Sequence, residues 1–140
     1  DTSSWELFDE GLRALMDHGA QNVSAKAAMA ALDAIHVHAA KVAAVLDRAP
    51  FLVTPTVAGQ TAVSGHHGTV NGEPTIFWAP FTQAANLTRH PAGSVCVGLT
   101  ADGMPVGIQV TGAHAADAAL LDVLACIEGL VGTPTWPVEA

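Results

Sequence analysis

Residues 86–112, NLTRHPAGSVCVGLTADGMPVGIQVTG, decide the fold. Two short apolar segments, 94–99 and 106–111, flank the pair Asp102-Gly103. An Asp-Gly pair between alternating apolar residues is a strong hairpin signal, because glycine readily adopts the positive φ that a tight turn needs. The stretch therefore predicts two antiparallel strands joined by a short turn.

The two predicted strands present unlike faces. One face is expected to carry Val95, Val97, Leu99, Val106, Ile108 and Val110. The other face is expected to carry Cys96, Gly98, Gly107 and Gln109. Glycines inside a strand often mark a place where another backbone comes close. The sequence thus predicts that something packs tightly against this second face.

Composition narrows the class of protein. The chain has 140 residues, a length that suits one domain, and half of them are apolar while only 13% are charged. Soluble domains usually carry about 25% charged residues. Two explanations stay open: an alanine-rich free-standing protein, or a piece of something larger whose apolar faces are covered elsewhere. The net charge of −8, with five Lys and Arg together, argues against nucleic acid and anionic membranes as partners.

The lack of recognisable targeting signals and the spacing of the two cysteines predict a cellular location. No apolar run is expected to reach the ~18–20 residues of a membrane helix, and nothing at the start resembles a signal peptide. Because the chain opens at Asp1 without Met, we expect the natural N-terminus to be missing or processed. Cys96 and Cys126 lack the spacing of a disulfide framework. Free thiols in the cytoplasm are therefore expected, and a disulfide between them is the less favoured alternative.

Helices are expected before the hairpin. A capping box formed by Ser3 and Glu6 predicts a first helix that ends at Gly19. An alanine-rich second helix is expected over residues 24–48, followed by a buried strand over residues 51–54.

A loop and a final helix complete the prediction. The glycine-rich segment 58–80 predicts a long loop, and loops of this length are often functional. The final helix is expected to begin with Asp117 as its cap, and Cys126 is expected in the core. Its predicted buried face consists of Leu120, Leu121, Leu124, Ile127 and Leu130 or Val131.

Motifs for chemistry are sparse. His36 and His38 are two residues apart on a helix and so face different directions, while the pair His66-His67 lacks a third ligand at metal-site spacing. We therefore expect no metal. No phosphate loop, dinucleotide fingerprint, Gly-x-Ser-x-Gly elbow or Ser-x-x-Lys is present, so neither a cofactor nor a complete active site is expected. The aromatic cluster of Phe77, Trp78 and Phe81 is by itself more typical of a core than of a substrate wall.

Four segments resemble the C-terminal third of the amidase signature family. In chain order they are LVTPT (52–56), PFTQAANLTRHPAGSV (80–95), DGMPVGIQVTG (102–112) and DAALLDVLACIE (117–128). The resemblance covers about residues 24–130. It is specific, because Pro-Val-Gly-x-Gln after Asp-Gly is uncommon elsewhere.

The resemblance implies an α/β fold, in which strands of a mixed central sheet are covered by helices. It implies that residues 1–140 form the C-terminal portion of a single amidase domain. Family members hydrolyse a carboxamide to a carboxylate and ammonia or an amine, using a serine nucleophile, a second serine in a cis peptide and a lysine. Those residues belong to a portion that would precede Asp1, so no catalytic residue is assigned here. On this view Gly98 and Gly107 would admit elements of that portion.

Four residues are predicted to bind substrate. Phe81 and Asn86 are expected to line or brace the pocket, with Thr54 and Thr56 at its rim, because all follow strand ends. The expected partners are a small-molecule amide and the N-terminal portion of the same enzyme, and a homodimer is left open.

Two departures from the family pattern leave the identity of the amide open. Where members commonly read Val-Pro-Cys-Gly, this chain has VCVG at 95–98, and where Tyr-Pro-Phe is frequent it has QAA at 83–85. Two alternative functions are kept beside the hydrolase. One is a non-catalytic binding or regulatory module derived from an amidase, and the other is a protein like the amide-releasing subunit of an amidotransferase.

Overall fold

The structure is a computed structural model of the chain, and it describes residues 5–60 and 62–132. The chain divides into two compact units, Asp1–Val37 and His38–Ala140. The helix α2 (Ala25–Leu46) runs from the first into the second, and each unit is described separately below.

The first unit is helical. A 3-10 helix, Trp5–Leu7, precedes α1 (Glu10–Asn22). Asp9 caps α1, since its carboxylate accepts a hydrogen bond from Leu12 N at 3.2 Å. Ser24 caps α2 in the same way, because its hydroxyl accepts from Ala27 N at 3.2 Å.

The predicted first helix is therefore wrong at both ends. It starts at Glu10 because Asp9 is the residue that caps it, and the predicted cap Ser3 lies outside the described residues. Gly19 does not end it. The helix continues to Asn22, where Val23 N still donates to Gly19 O at 3.0 Å.

The second unit is built on a three-stranded antiparallel sheet. Its strands are β1 (Phe51–Pro55), β4 (Ala92–Leu99) and β5 (Pro105–Gly112), in the order β1-β5-β4. β4 and β5 form the predicted hairpin, with Gly103 at a φ of 83° in the turn. The Thr100 hydroxyl donates to Asp102 there and holds the pKa of that carboxyl below its usual range. The predicted fold class, α/β with helices covering a sheet, is confirmed.

A β-bulge at Val97 changes the predicted faces of the hairpin. Cys96 pairs with Gly107, but the next pair is Gly98 with Val106. Directly opposed residues share a face, so the extra residue moves Gly98 to the same side as Val106. The prediction that Gly98 and Gly107 share a bare face is thus wrong.

Helices cover both faces of the sheet. The helix α4 (Asp117–Val131) packs on the face of Val110, which is fully buried, and Gly93 on this face leaves room for Leu124. We call this side the α4 face. The opposite side contains Leu52, Thr54, Gln109 and Thr111, and we call it the cavity face.

The last helix differs from its prediction in three respects. Its N-cap is Ala116 without a side-chain hydrogen bond, and Asp117 is instead the first helical residue, where its negative charge interacts favourably with the positive end of the helix dipole. Leu120 is buried, whereas Leu121 is 65% and Leu130 82% exposed. Neighbouring positions on a helix point about 100° apart, so Leu121 cannot share the face of Leu120. Cys126 is also exposed and not in the core.

The segment 58–80 contains structure that the sequence did not predict. Strands β2 (Thr69–Val70) and β3 (Glu73–Pro74) form a small hairpin. Its turn is Asn71-Gly72, with φ angles of 54° and 84°, which is the usual Asn-Gly solution. The helix α3 (Pro80–Thr88) was likewise missed. It begins with proline, which has no N–H to lose at that position, and its first turn contains Phe81 of the aromatic cluster.

The expectation that no apolar segment reaches the length of a membrane helix is wrong for α2. By length and composition alone its 22 residues could cross a membrane, with a mean hydropathy of 1.4 over an 18-residue window. Core helices of soluble proteins pass the same test. The absence of a membrane partner therefore stays a prediction.

Candidate functional site

A half-open cavity lies on the cavity face of the sheet. Its volume is about 170 Å³, and it is lined by β1, β5, α3 and the part of α2 from His38 to Val42. Its walls include Leu52, Thr54, Phe81, Ala85, Gln109 and Thr111. Most of these side chains are apolar or carry a single hydroxyl, so the cavity suits an uncharged group.

Two of the four predicted substrate residues meet in this cavity. Thr54 comes from the end of β1 and Phe81 from the first turn of α3. The hydroxyl of Thr54 is buried and has no hydrogen-bond partner among residues 5–60 and 62–132. A buried hydroxyl without a partner is costly, so Thr54 offers an unused hydrogen bond at the cavity wall.

Gln109 connects the cavity wall formed by the sheet to the wall formed by α3. Its side chain is buried, and Nε2 donates to Phe81 O at 3.1 Å and to Thr111 Oγ1 at 3.4 Å. Since Phe81 belongs to α3 and Gln109 to the central strand, this bond joins the helix to the sheet. Sequence reasoning placed Gln109 on a bare face and missed this contact, because α3 itself was not predicted.

Thr56 lies outside the cavity, against Gly107. A Cβ atom at position 107 would be 2.7 Å from Thr56 Oγ1, and Thr56 N donates to Gly107 O at 3.0 Å. The predicted close approach at Gly107 is therefore present, but its partner is a residue of this same chain. At Gly98, by contrast, a Cβ would meet nothing within 4 Å.

Asn86 is exposed and lines a different, open cleft. This cleft has a volume of about 250 Å³, and its walls include Asn86, Arg89, His90, Ala115 and Asp117. The structure thus brings Thr54 and Phe81 together and leaves Thr56 and Asn86 apart from them. The substrate-binding roles of all four stay predictions.

Two histidines stack beside the open cleft. The rings of His90 and His114 are 4.0 Å apart and nearly parallel. His90 Nδ1 lies 2.9 Å from Thr88 Oγ1, and His114 Nε2 donates to Thr88 O at 3.0 Å. Burial, and then repulsion from His114, lower the pKa of His90. The pair was not predicted, because no sequence signal links residues so far apart in the chain.

No metal site is found among residues 5–60 and 62–132. No three His, Cys, Asp or Glu side chains in that part of the chain converge as metal ligands would. Both cysteines are free, and the thiol of Cys96 donates to Gly98 O at 3.3 Å. The expected absence of a metal and of a cofactor stays a prediction.

Comparison with known proteins gives consistent matches. The sequence profile of the family described as Amidase matches residues 2–121. The 6-aminohexanoate-cyclic-dimer hydrolases of Pseudomonas sp. (strain NK87) and Paenarthrobacter ureafaciens are 28% and 30% identical to this chain. Each alignment covers 91% of this chain and 26% of the relative. The crystal structure of a bacterial aryl acylamidase of the amidase signature enzymes superposes with a TM-score of 0.71 at 26% identity, covering 91% of this chain and 27% of that one. The chain thus spans about a quarter of the length of these proteins.

Proposed function

This chain belongs to the amidase signature family, and we propose that the protein containing it hydrolyses a carboxamide to a carboxylate and ammonia or an amine. The observation that carries the proposal is the family match over residues 2–121. The two relatives named above are 6-aminohexanoate-cyclic-dimer hydrolases, which supports the same reaction class.

We propose that the chemistry is divided between this chain and a portion that precedes it. The family resemblance implies a serine that attacks the amide carbon, with a second serine and a lysine that move the protons. The oxyanion would be held by backbone N–H groups, each of which is worth about 3 kcal/mol in comparable sites. None of these groups is assigned to this chain. Its share would be three strands of the sheet and part of the substrate wall.

Exposed apolar surface supports the view that the chain is part of a larger amidase domain. Among the described residues, the buried apolar side chains are Leu46, Ala85, Val95, Val110 and Leu120. Large apolar side chains stay exposed on the strands and helices of the second unit, including Val53, Leu87, Val106, Leu121 and Leu130. Strands β1 and β4 are the edges of the sheet, and unpaired edges invite further pairing.

We propose that the half-open cavity on the cavity face receives the acyl part of the substrate. An apolar protein cavity of about 150 Å³ binds benzene, so 170 Å³ suits one six-membered ring or a short aliphatic chain. The free Thr54 hydroxyl would then pair with a polar atom of the substrate. Thr56 would brace β5 through its bond to Gly107, and Asn86, an exposed residue of α3, would line the neighbouring open cleft. The free thiols of Cys96 and Cys126 support a cytoplasmic location.

The test is an ammonia-release assay on the complete protein. Acetamide, benzamide and hexanamide are incubated with the protein and with a control in which alanine replaces the serine nucleophile of the preceding portion. We expect the first protein, and not the control, to release ammonia from at least one amide. A complete, folded protein that cleaves none of them would refute the hydrolase and favour the binding module.

A further inference from the structure

Gln109 occupies the centre of the cavity face. Its side chain is 4% exposed, with Thr54 opposite it on β1 and Ser94 opposite it on β4. Burial of a primary amide without hydrogen bonds costs free energy, and a leucine would fill the same space without that cost. The hydrogen bonds of the Gln109 amide must therefore offset this cost.

The amide of Gln109 fixes the first turn of α3. Nε2 donates to Phe81 O at 3.1 Å and, over a longer distance, to Thr111 Oγ1 at 3.4 Å. At the other end of α3, His114 donates to Thr88 O at 3.0 Å. The helix is thus held at both ends by side chains that donate to its carbonyl groups. The bond from Gln109 is the one beside the Phe81 ring.

We propose that Gln109 is a positioning residue, which holds Phe81 at a set distance from the sheet and thereby determines which acyl groups the enzyme accepts. This proposal rests on the proposed amidase function and on the cavity as its acyl site. Phe81 forms one wall of the cavity and Thr54 another, so a shift of the first turn of α3 changes the width between them. Gln109 acts through Phe81 and takes no part in bond making.

The first test compares two amides in the complete protein. Gln109→Leu keeps the volume but removes the donor to Phe81 O. We expect the ratio of kcat/KM for benzamide to that for acetamide to change at least about threefold, the factor that a hydrogen bond of ordinary strength supplies. Ser94→Ala is the matched control, because Ser94 lies opposite Gln109 but is exposed and does not line the cavity. Its ratio should equal that of the wild type.

The second test separates positioning from simple loss of structure. In Gln109→Glu the ionised carboxylate cannot donate to Phe81 O and is repelled by it, whereas the protonated acid can donate. The ratio for this variant should therefore move toward the wild-type value as the pH falls. Effects of pH on the shared catalytic steps cancel in the ratio, and comparison with the wild type at each pH removes effects of other groups at the cavity, such as His38.

The outcomes distinguish the two proposals. A changed ratio in Gln109→Leu, with partial recovery of Gln109→Glu at low pH, supports positioning. If both amides are slowed equally in both variants, Gln109 is only structural and the inference is overturned while the amidase stands. If the wild type cleaves neither amide, the proposed function fails and this inference with it. Should Gln109→Leu not fold, the pH dependence of Gln109→Glu decides.

Discussion

Replacement of Gly107 by valine tests a close contact within the sheet. Gly107 lies on the cavity face of β5, and a Cβ atom there would be 2.7 Å from Thr56 Oγ1 and 3.3 Å from Thr56 Cβ. Unstrained Cβ atoms do not come this close to another atom. Thr56 cannot simply withdraw, because its own N–H donates to Gly107 O at 3.0 Å.

The expected cost follows from this geometry. Extra methyl groups in a packed site usually destabilise by about 1–3 kcal/mol. Valine adds three carbon atoms where even the first is too close, so we expect Gly107→Val to lower the free energy of unfolding by more than about 2 kcal/mol. Gly107→Ala should cost less, since it adds only the Cβ.

The assay is denaturant unfolding of the complete protein, with a double-mutant cycle as its control. Thr56→Ala removes the Oγ1 atom that the new Cβ meets, so it should recover part of the loss in Gly107→Ala. A coupling free energy of zero between the two positions would contradict the assigned contact. An unchanged unfolding midpoint for Gly107→Val would refute the reasoning altogether.

Three further predictions concern metal, substrate choice and pH. Treatment with EDTA should leave the melting temperature and any activity unchanged, and a fall that Zn²⁺ reverses would contradict the expected absence of a metal. Phe81→Ala should reorder a panel of amides by kcat/KM, whereas equal slowing of all of them would make Phe81 merely structural. The lowered pKa of His90 means that the unfolded chain binds more protons below about pH 6.5. The melting temperature should therefore fall as the pH is lowered from 7.5 to 5.5, and that of His90→Phe should fall less. Equal falls for the two proteins would contradict the burial of His90.

Local signals in the sequence were sufficient to predict the hairpin of β4 and β5 and the helix α2. Asp102-Gly103 forms the turn it predicts, and α2 begins within one residue of its expected start. The bulge at Val97 was missed because the extra residue is as apolar as its neighbours. It is defined only by the pairing of β4 with β5. The first helix was misplaced because Asp9 and Ser3 are both good caps, and local propensity does not rank them.

The candidate site was only half predictable. Thr54 and Phe81 meet because the sheet register and Gln109 bring α3 over β1, and neither contact is visible in local patterns. Asn86 follows Phe81 by five residues, which on a helix is a rotation of about 140°. Once α3 forms, the two side chains cannot share a wall. No helix was predicted over residues 81–86, so this separation was not expected.

The central claim is that this chain is a non-catalytic portion of an amidase, and the most direct measurement is made on the chain by itself. Size-exclusion chromatography and an ammonia-release assay are applied to the chain, to the portion that carries the expected lysine and serines, and to their mixture. The account predicts that the chain alone releases no ammonia and is not a stable monomer, because its apolar faces and sheet edges are uncovered. The mixture should give a compact particle with amidase activity. A stable monomer that releases ammonia unaided would contradict the account, and a stable inactive monomer would contradict its stability half and favour the binding module.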